Sequence, residues 1–267
     1  MQNDKNFAAS HEAPKSNRLR ITKIAAVICG VLLSLDILMA VSPVFVYDFL
    51  FPRYERPDYG LYPGMYCMER FEGKLDRVEL TVTSGEVDLA GYYYPAKEPA
   101  GLVVMVHGIH AGADDYLPLI AEMVKGNYAV FAYDGTGVYS SGGDDTVGMC
   151  QQLVDLDAVL DYLDQTEPYS EMPIFLVGHS LGGYAAASVL EIHDDVKACV
   201  CIAPMNDGSR VMVETSEAYI GKLAYIAKPA FDLYQSVAVI EDRIQRAAAF
   251  TLGECLDICF VAVAVGA

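Results

Sequence analysis

The chain has 267 residues, with 18 Lys and Arg against 36 Asp and Glu, and is 53% hydrophobic and 20% charged. Such a composition excludes a disordered or collagen-like chain and leaves room for one sizeable folded core. The acidity is uneven: residues 1–23 hold five bases (Lys5, Lys15, Arg18, Arg20, Lys23) and two acids, so the remainder carries 13 bases against 34 acids, a net of −21. That surface repels phosphate backbones and excludes nucleic acid as a partner, while seven cysteines are too few for a disulfide scaffold in a chain this long.

In chain order, residues 24–47 come first: IAAVICGVLLSLDILMAVSPVFVY. Asp36 is their only strongly polar member, and the stretch is long enough to cross a hydrocarbon core of about 30 Å. A transmembrane helix is predicted, with Asp36 costing about 2.5 to 3.5 kcal/mol near its centre and the surrounding Ile, Leu, Val and Phe offsetting it. A cleaved signal peptide is the rival, but no small-x-small site follows and the apolar character continues past Pro43. Five bases precede the segment and only Arg53 and Arg56 closely follow it. The positive-inside bias therefore predicts a single-pass cell-membrane protein with a cytoplasmic basic tail (1–23), an anchor (24–47) and the rest outside. Residues 48–74, rich in Tyr, Pro and Gly without a sustained period, predict an irregular connector whose aromatic rings sit among lipid headgroups.

From Arg77 the pattern turns to short β-rich runs, Arg77 to Thr83 and Val87 to Tyr94, joined at Ser84-Gly85 as in a hairpin. Apolar strands then alternate with helical stretches: Leu102 to Val106, a helix about Asp115 to Lys125, Tyr128 to Tyr133, a helix about Thr146 to Asp164, Ile174 to Val177, a helix from Leu181 to Ile192, and Val196 to Ile202. This order predicts an α/β fold, a mostly parallel sheet with helices on both faces. The helix over 146–164 carries the clearest period, with Met149, Leu153, Leu156, Leu160 and Leu163 on one side and Asp155, Asp157, Asp161 and Asp164 on the others.

The chemistry is concentrated where Pro173-Ile174-Phe175-Leu176-Val177 runs into Gly178-His179-Ser180-Leu181-Gly182-Gly183 and on into Tyr184-Ala185-Ala186-Ala187. A buried strand meeting a helix through Gly-x-Ser-x-Gly is a nucleophile elbow. Such a turn exposes a hydroxyl at the strand's end on a strained backbone, with Gly178 and Gly182 permitting close approach of strand and helix, and Ser180 lies at the positive end of the helix dipole.

These residues resemble the α/β-hydrolase superfamily, particularly its serine aminopeptidase and monoacylglycerol-lipase-like members, from about Arg77 to Pro204. The strand Val103-Val104-Met105-Val106 ending in His107-Gly108-Ile109 is similar to the superfamily's strand ending in His-Gly. The resemblance implies that the N–H of Ile109 joins that of Leu181 in an oxyanion hole, with His107 and Gly108 supporting the loop. Asp134-Gly135-Thr136-Gly137, followed by Ser140, looks like the Asp-x-x-Gly-x-x-Ser loop, with Thr136 where an Arg is common, and Ile202-Ala203-Pro204 resembles the end of the sixth strand, after which a lid is usual. Residues 75–204 are then the hydrolase core and 205–267 lid-like helices followed by an atypical C-terminal stretch, with an incomplete set of C-terminal strands.

Competing constellations are weaker. Gly135-Thr136-Gly137-Val138-Tyr139-Ser140 lacks the third glycine of a dinucleotide fingerprint and no helix follows to receive a pyrophosphate. His107, His110, Asp114 and Asp115 are read as a His-Gly turn and a helix cap rather than metal ligands, and Cys255 and Cys259 have no evident further ligands. Cys199 and Cys201 share one face of a strand and are assigned to the core, and His193 to a solvated helix end.

A serine hydrolase needs a base and an acid after the serine, and neither is recognisable, since His193 is the last histidine. A truncated or frameshifted hydrolase, or a non-catalytic relative, is therefore expected. The resulting expectation is a membrane-anchored serine hydrolase that cleaves an ester or amide, a lipid-like acyl ester by preference and a peptide otherwise, through an acyl-Ser180 intermediate. It uses no metal and no cofactor; the alternative is an anchored pseudoenzyme that binds an acyl ligand or a protein partner.

Overall fold

The computed structural model describes residues 20–35, 37, 51–205, 208–229, 232 and 260–264, in two units, Met1–Ser42 and Pro43–Ala267. In the first, residues 20–35 form helix α1, as a stretch rich in Ala, Ile, Val and Leu without proline favours. Its apolar side chains, Ile24, Val27, Leu32 and Leu33 among them, are exposed. No helix among the described residues is long and apolar enough to cross a membrane. Asp36 and most of the expected span beyond it lie outside the described residues.

The second unit is built on one sheet in the order β1-β2-β4-β3-β5-β6-β7. β1 (Val78–Ser84) and β2 (Val87–Tyr94) form the expected antiparallel hairpin, and Gly85 at φ 59° supplies its turn. β2 pairs antiparallel with β4 (Ala129–Tyr133), whereas β4, β3 (Leu102–Val106), β5 (Ile174–His179) and β6 (Ala198–Ile202) run parallel at the centre. β3 and β4 are buried at every position, as strands covered on both faces must be. Alternate residues feed two cores. Val104, Val106, Phe131 and Tyr133 face α3 (Gln151–Asp164) and α4 (Leu181–Ser188), while Val103, Met105, Val130 and Ala132 face Leu117 and Ile120 of α2 (Leu117–Lys125). β7 (Phe260–Ala264) pairs antiparallel with β6, Cys199 opposite Val263; residues 233–259, most of the stretch read as atypical, lie outside the described residues.

Two expectations need correction. α3 begins at Gln151, not near Thr146. Val147 and Gly148 adopt φ 58° and 151°, outside the helical range, and Asp145 accepts the Val147 N–H at 2.8 Å in a local turn. Met149 is thus not on the helix; it enters a third apolar cluster with Phe51, Leu181, and Met212 and Val213 of α5 (Gly208–Ile220). Asp155, placed by periodicity on a face away from the core, is instead fully buried.

Candidate active site

β5 ends at His179, and Ser180 takes φ 54° and ψ −115° before α4 begins at Leu181. A serine there costs about 1 to 3 kcal/mol and persists only where its surroundings enforce it. They do: Ser180 N–H donates to the Ile202 carbonyl at 2.9 Å, and its own carbonyl accepts from Tyr184 N–H at 3.1 Å and Met205 N–H at 3.2 Å. A Cβ on Gly178 would lie 2.2 Å from the Gly182 carbonyl oxygen, and one on Gly182 would lie 2.3 Å from that of Val106. Only glycine fits at either position. Ser180 makes no side-chain capping hydrogen bond to α4.

β3 delivers His107, Gly108 and Ile109 beside this turn; the space a Gly108 Cβ would occupy is 3.3 Å from the Ser180 Cβ. His107 is buried, and its Nε2 accepts the Gly135 N–H at 2.9 Å, so Nδ1 carries the proton and donates to the Gly108 carbonyl at 2.8 Å. The ring staples the His-Gly turn to the loop after β4. Gly108 N–H donates to the Tyr116 hydroxyl at 2.9 Å, and that hydroxyl is hydrogen-bonded to His179 Nδ1 at 2.8 Å. Neither the Ile109 nor the Leu181 N–H has a hydrogen-bond partner among the described residues. Burial raises the Tyr116 pKa, so its hydroxyl stays protonated. Tyr116 was not legible as a site residue, because an isolated tyrosine near the start of a helix carries no spacing signal.

Buried carboxylates order the loop after β4. Asp134 accepts from Ala113 N–H at 2.9 Å and from the Tyr92 hydroxyl at 2.8 Å. Asp155 accepts from Ser84 Oγ, Thr136 N–H and Oγ1, and Gln151 Nε2 at 2.7 to 2.9 Å. Burial raises the Asp155 pKa, an effect these hydrogen bonds oppose. The connector begins as a strap across these loops. Arg53 donates to the carbonyls of Gly143 at 2.6 Å, Tyr139 at 3.0 Å and Ser141 at 3.1 Å, and Tyr54 stacks on His110 with ring centroids 4.3 Å apart. Arg56 and Arg77 share the buried Asp114 at 2.5 and 2.8 Å. Further along, Leu61, Tyr62 and Tyr66 are exposed.

The near-match to a dinucleotide fingerprint is part of this looped segment and opens no helix. Cys199 and Cys201 are buried in the core with sulfurs 3.5 Å apart. His193 is not a solvated helix end: its Nε2 pairs with Asp157 at 2.9 Å and the ring is mostly covered. Burial opposes its charge, but the hydrogen bond and charge of Asp157, with Asp161 and Asp195 nearby, prevail and raise its pKa above the ordinary 6.5. Asp157, Asp161 and His193 also place potential ligand atoms within 4.8 Å of one another, the one such group among the described residues; the His193–Asp157 ion pair accounts for their proximity.

A central parallel sheet that delivers a serine at positive φ into a helix N-terminus, beside a His-Gly loop, defines the α/β-hydrolase class. Within it the chain belongs to the serine aminopeptidase S33 family (Hydrolase_4), whose family model matches residues 97–249. The chain is 36% identical over 119 residues to the monoglyceride lipase of Mus musculus, covering 43% of this chain and 37% of that protein. The Rattus norvegicus monoglyceride lipase is 29% identical over 164 residues, covering 59% and 52%. The chain thus spans about half or less of the length of these relatives. Among solved structures, the Pyrococcus furiosus esterase Pf2001 shares the fold with a TM-score of 0.50 at 21% identity, over 64% of this chain and 65% of that one.

Proposed function

We propose that the protein hydrolyses an acyl ester through an intermediate on Ser180, the N–H groups of Ile109 and Leu181 holding the oxyanion. One observation carries this reading: the strained Ser180 turn is locked beside two N–H groups that have no partner among the described residues. In the reaction the Ser180 Oγ attacks the carbonyl carbon and its proton passes to a base. The C–O bond to the leaving alcohol then breaks, and water releases the acid. Negative charge on the carbonyl oxygen is met by donors already in place, the main source of rate enhancement in such sites. The chemistry requires neither metal nor cofactor. Similarity to monoglyceride lipases, and the apolar cluster around Leu181, favour a lipid-like acyl ester over a peptide. The apolar run at 24–47 and the five preceding bases support attachment to the cell membrane, with the hydrolase domain outside.

A fluorophosphonate probe tests the nucleophile. Ser180 is expected to be labelled, and labelling that survives Ser180→Ala would overturn the assignment. The non-catalytic reading is favoured by a separate observation, that no described histidine is hydrogen-bonded to Ser180: His107 holds two loops, His179 meets Tyr116, His193 meets Asp157 and His110 stacks on Tyr54. Without a positioned base, purified protein is expected to turn over p-nitrophenyl acetate at no more than the residual ~10³ to 10⁴-fold over water left by an oxyanion hole and binding alone. Full family-like turnover lost on changing one of these histidines would reveal that base.

A further inference from the structure

The strap that precedes the family-matched region reaches the candidate site through one side chain. Phe51 lies outside residues 97–249, yet it is only 2% exposed and packs in the cluster with Met149, Leu181, Met212 and Val213. It also lines a narrow cleft together with both proposed oxyanion donors, Ile109 and Leu181, and that cleft has room for about one water molecule. Backbone hydrogen bonds at Phe51 and three residues beyond it fix its position. The Phe51 carbonyl accepts the Thr146 N–H at 3.0 Å, and Tyr54 exchanges hydrogen bonds with Gly137 and Tyr139 at 2.8 and 2.7 Å.

We propose that Phe51 is the stop that sets acyl-chain length in this protein, an inference that rests on the reading of Ser180 as the acyl carrier. An ester whose carbonyl oxygen sits at the Ile109 and Leu181 N–H groups must direct its acyl chain into neighbouring apolar space. Here that space is the third cluster, and the Phe51 ring occupies it. The space left beside the ring takes a group no larger than about one methyl, so longer chains require its removal. Each methylene then admitted adds about fourfold to affinity, so room for two or three gives at least about tenfold.

The test uses the full chain in two measurements. In the Ser180→Ala background, calorimetry with decanoate is expected to show at least tenfold tighter binding when Phe51→Ala is added, and about fourfold tighter with Phe51→Leu, which keeps an apolar side chain should the alanine variant not fold. Decanoate affinity unchanged within twofold in a folded Phe51 variant overturns the proposal, whatever Ser180 does. With Ser180 intact, ethyl fluorophosphonate is expected to label wild-type protein faster than decyl fluorophosphonate, and Phe51→Ala to reverse that order. If neither probe labels either protein, the nucleophile reading fails and the binding measurement alone decides the stop.

Discussion

At Gly178 and Gly182 a single methyl group separates a working elbow from a collision between backbones. Either alanine substitution would drive its Cβ to within 2.3 Å of a carbonyl oxygen belonging to another segment, so α4 must shift from β5 in the first case and from β3 in the second. Gly178→Ala and Gly182→Ala are each expected to lower stability by at least about 2 kcal/mol and to slow fluorophosphonate labelling. An unchanged urea midpoint would show that the strand–helix contact is looser than described. His193 gives a residue-scale test of charge. Its pKa is raised on folding, so the ion pair contributes fully below the ordinary imidazole value of 6.5, and the contribution fades as pH rises through the elevated folded value. Asp157→Asn is expected to flatten the stability profile across that window; a profile identical to wild type would assign the dependence elsewhere.

At the scale of elements, one guanidinium ties the strap to three carbonyls of the loop after β4. Arg53 holds three carbonyls that no other described side chain satisfies in the same way. Arg53→Ala is expected to cost about 2 kcal/mol, the size of charge-assisted hydrogen bonds, and to speed amide exchange across 137–146 while β3 and β5 stay protected. Equal acceleration throughout would mean global destabilisation instead. This part of the molecule was illegible in the sequence for a physical reason: a guanidinium meeting backbone carbonyls about 90 residues away leaves no period and no pairing of residue types. The start of α3 was illegible too, because Thr146 to Met149 fit a helical repeat while the backbone at Val147 and Gly148 leaves it. The central strands were legible because burial on both faces demands unbroken apolar runs, as in Leu102–Val106. The elbow was legible because its two glycines are dictated by backbone contact, not by side-chain choice. The His107 staple could be suspected from the motif; its partner Gly135 could not.

For the whole molecule, the charge asymmetry between residues 1–23 and the remainder leads to a topological prediction. Protease added to intact cells is expected to digest the folded domain and spare the basic tail, and full protection of the domain would reject the proposed orientation. The overall class of fold could be read from the alternation of strands and helices. The fitting of the strap to the hydrolase domain could not, because its partners are set by the tertiary arrangement of loops and not by any local pattern.

The sharing of Asp114 by two arginines also has a consequence for synthesis on the ribosome. Arg56 is made 58 residues before its buried partner, and Arg53 is made 90 residues before the Gly143 carbonyl it holds. At about 5 to 20 residues per second, the later contact must wait roughly 5 to 18 s after the strap is polymerised. The strap is therefore unsecured until these later residues are made, and chains stalled near residue 130 should be cut at Arg53 by trypsin far faster than released chains. Equal resistance in stalled and released chains would show that the strap is protected before its partners exist.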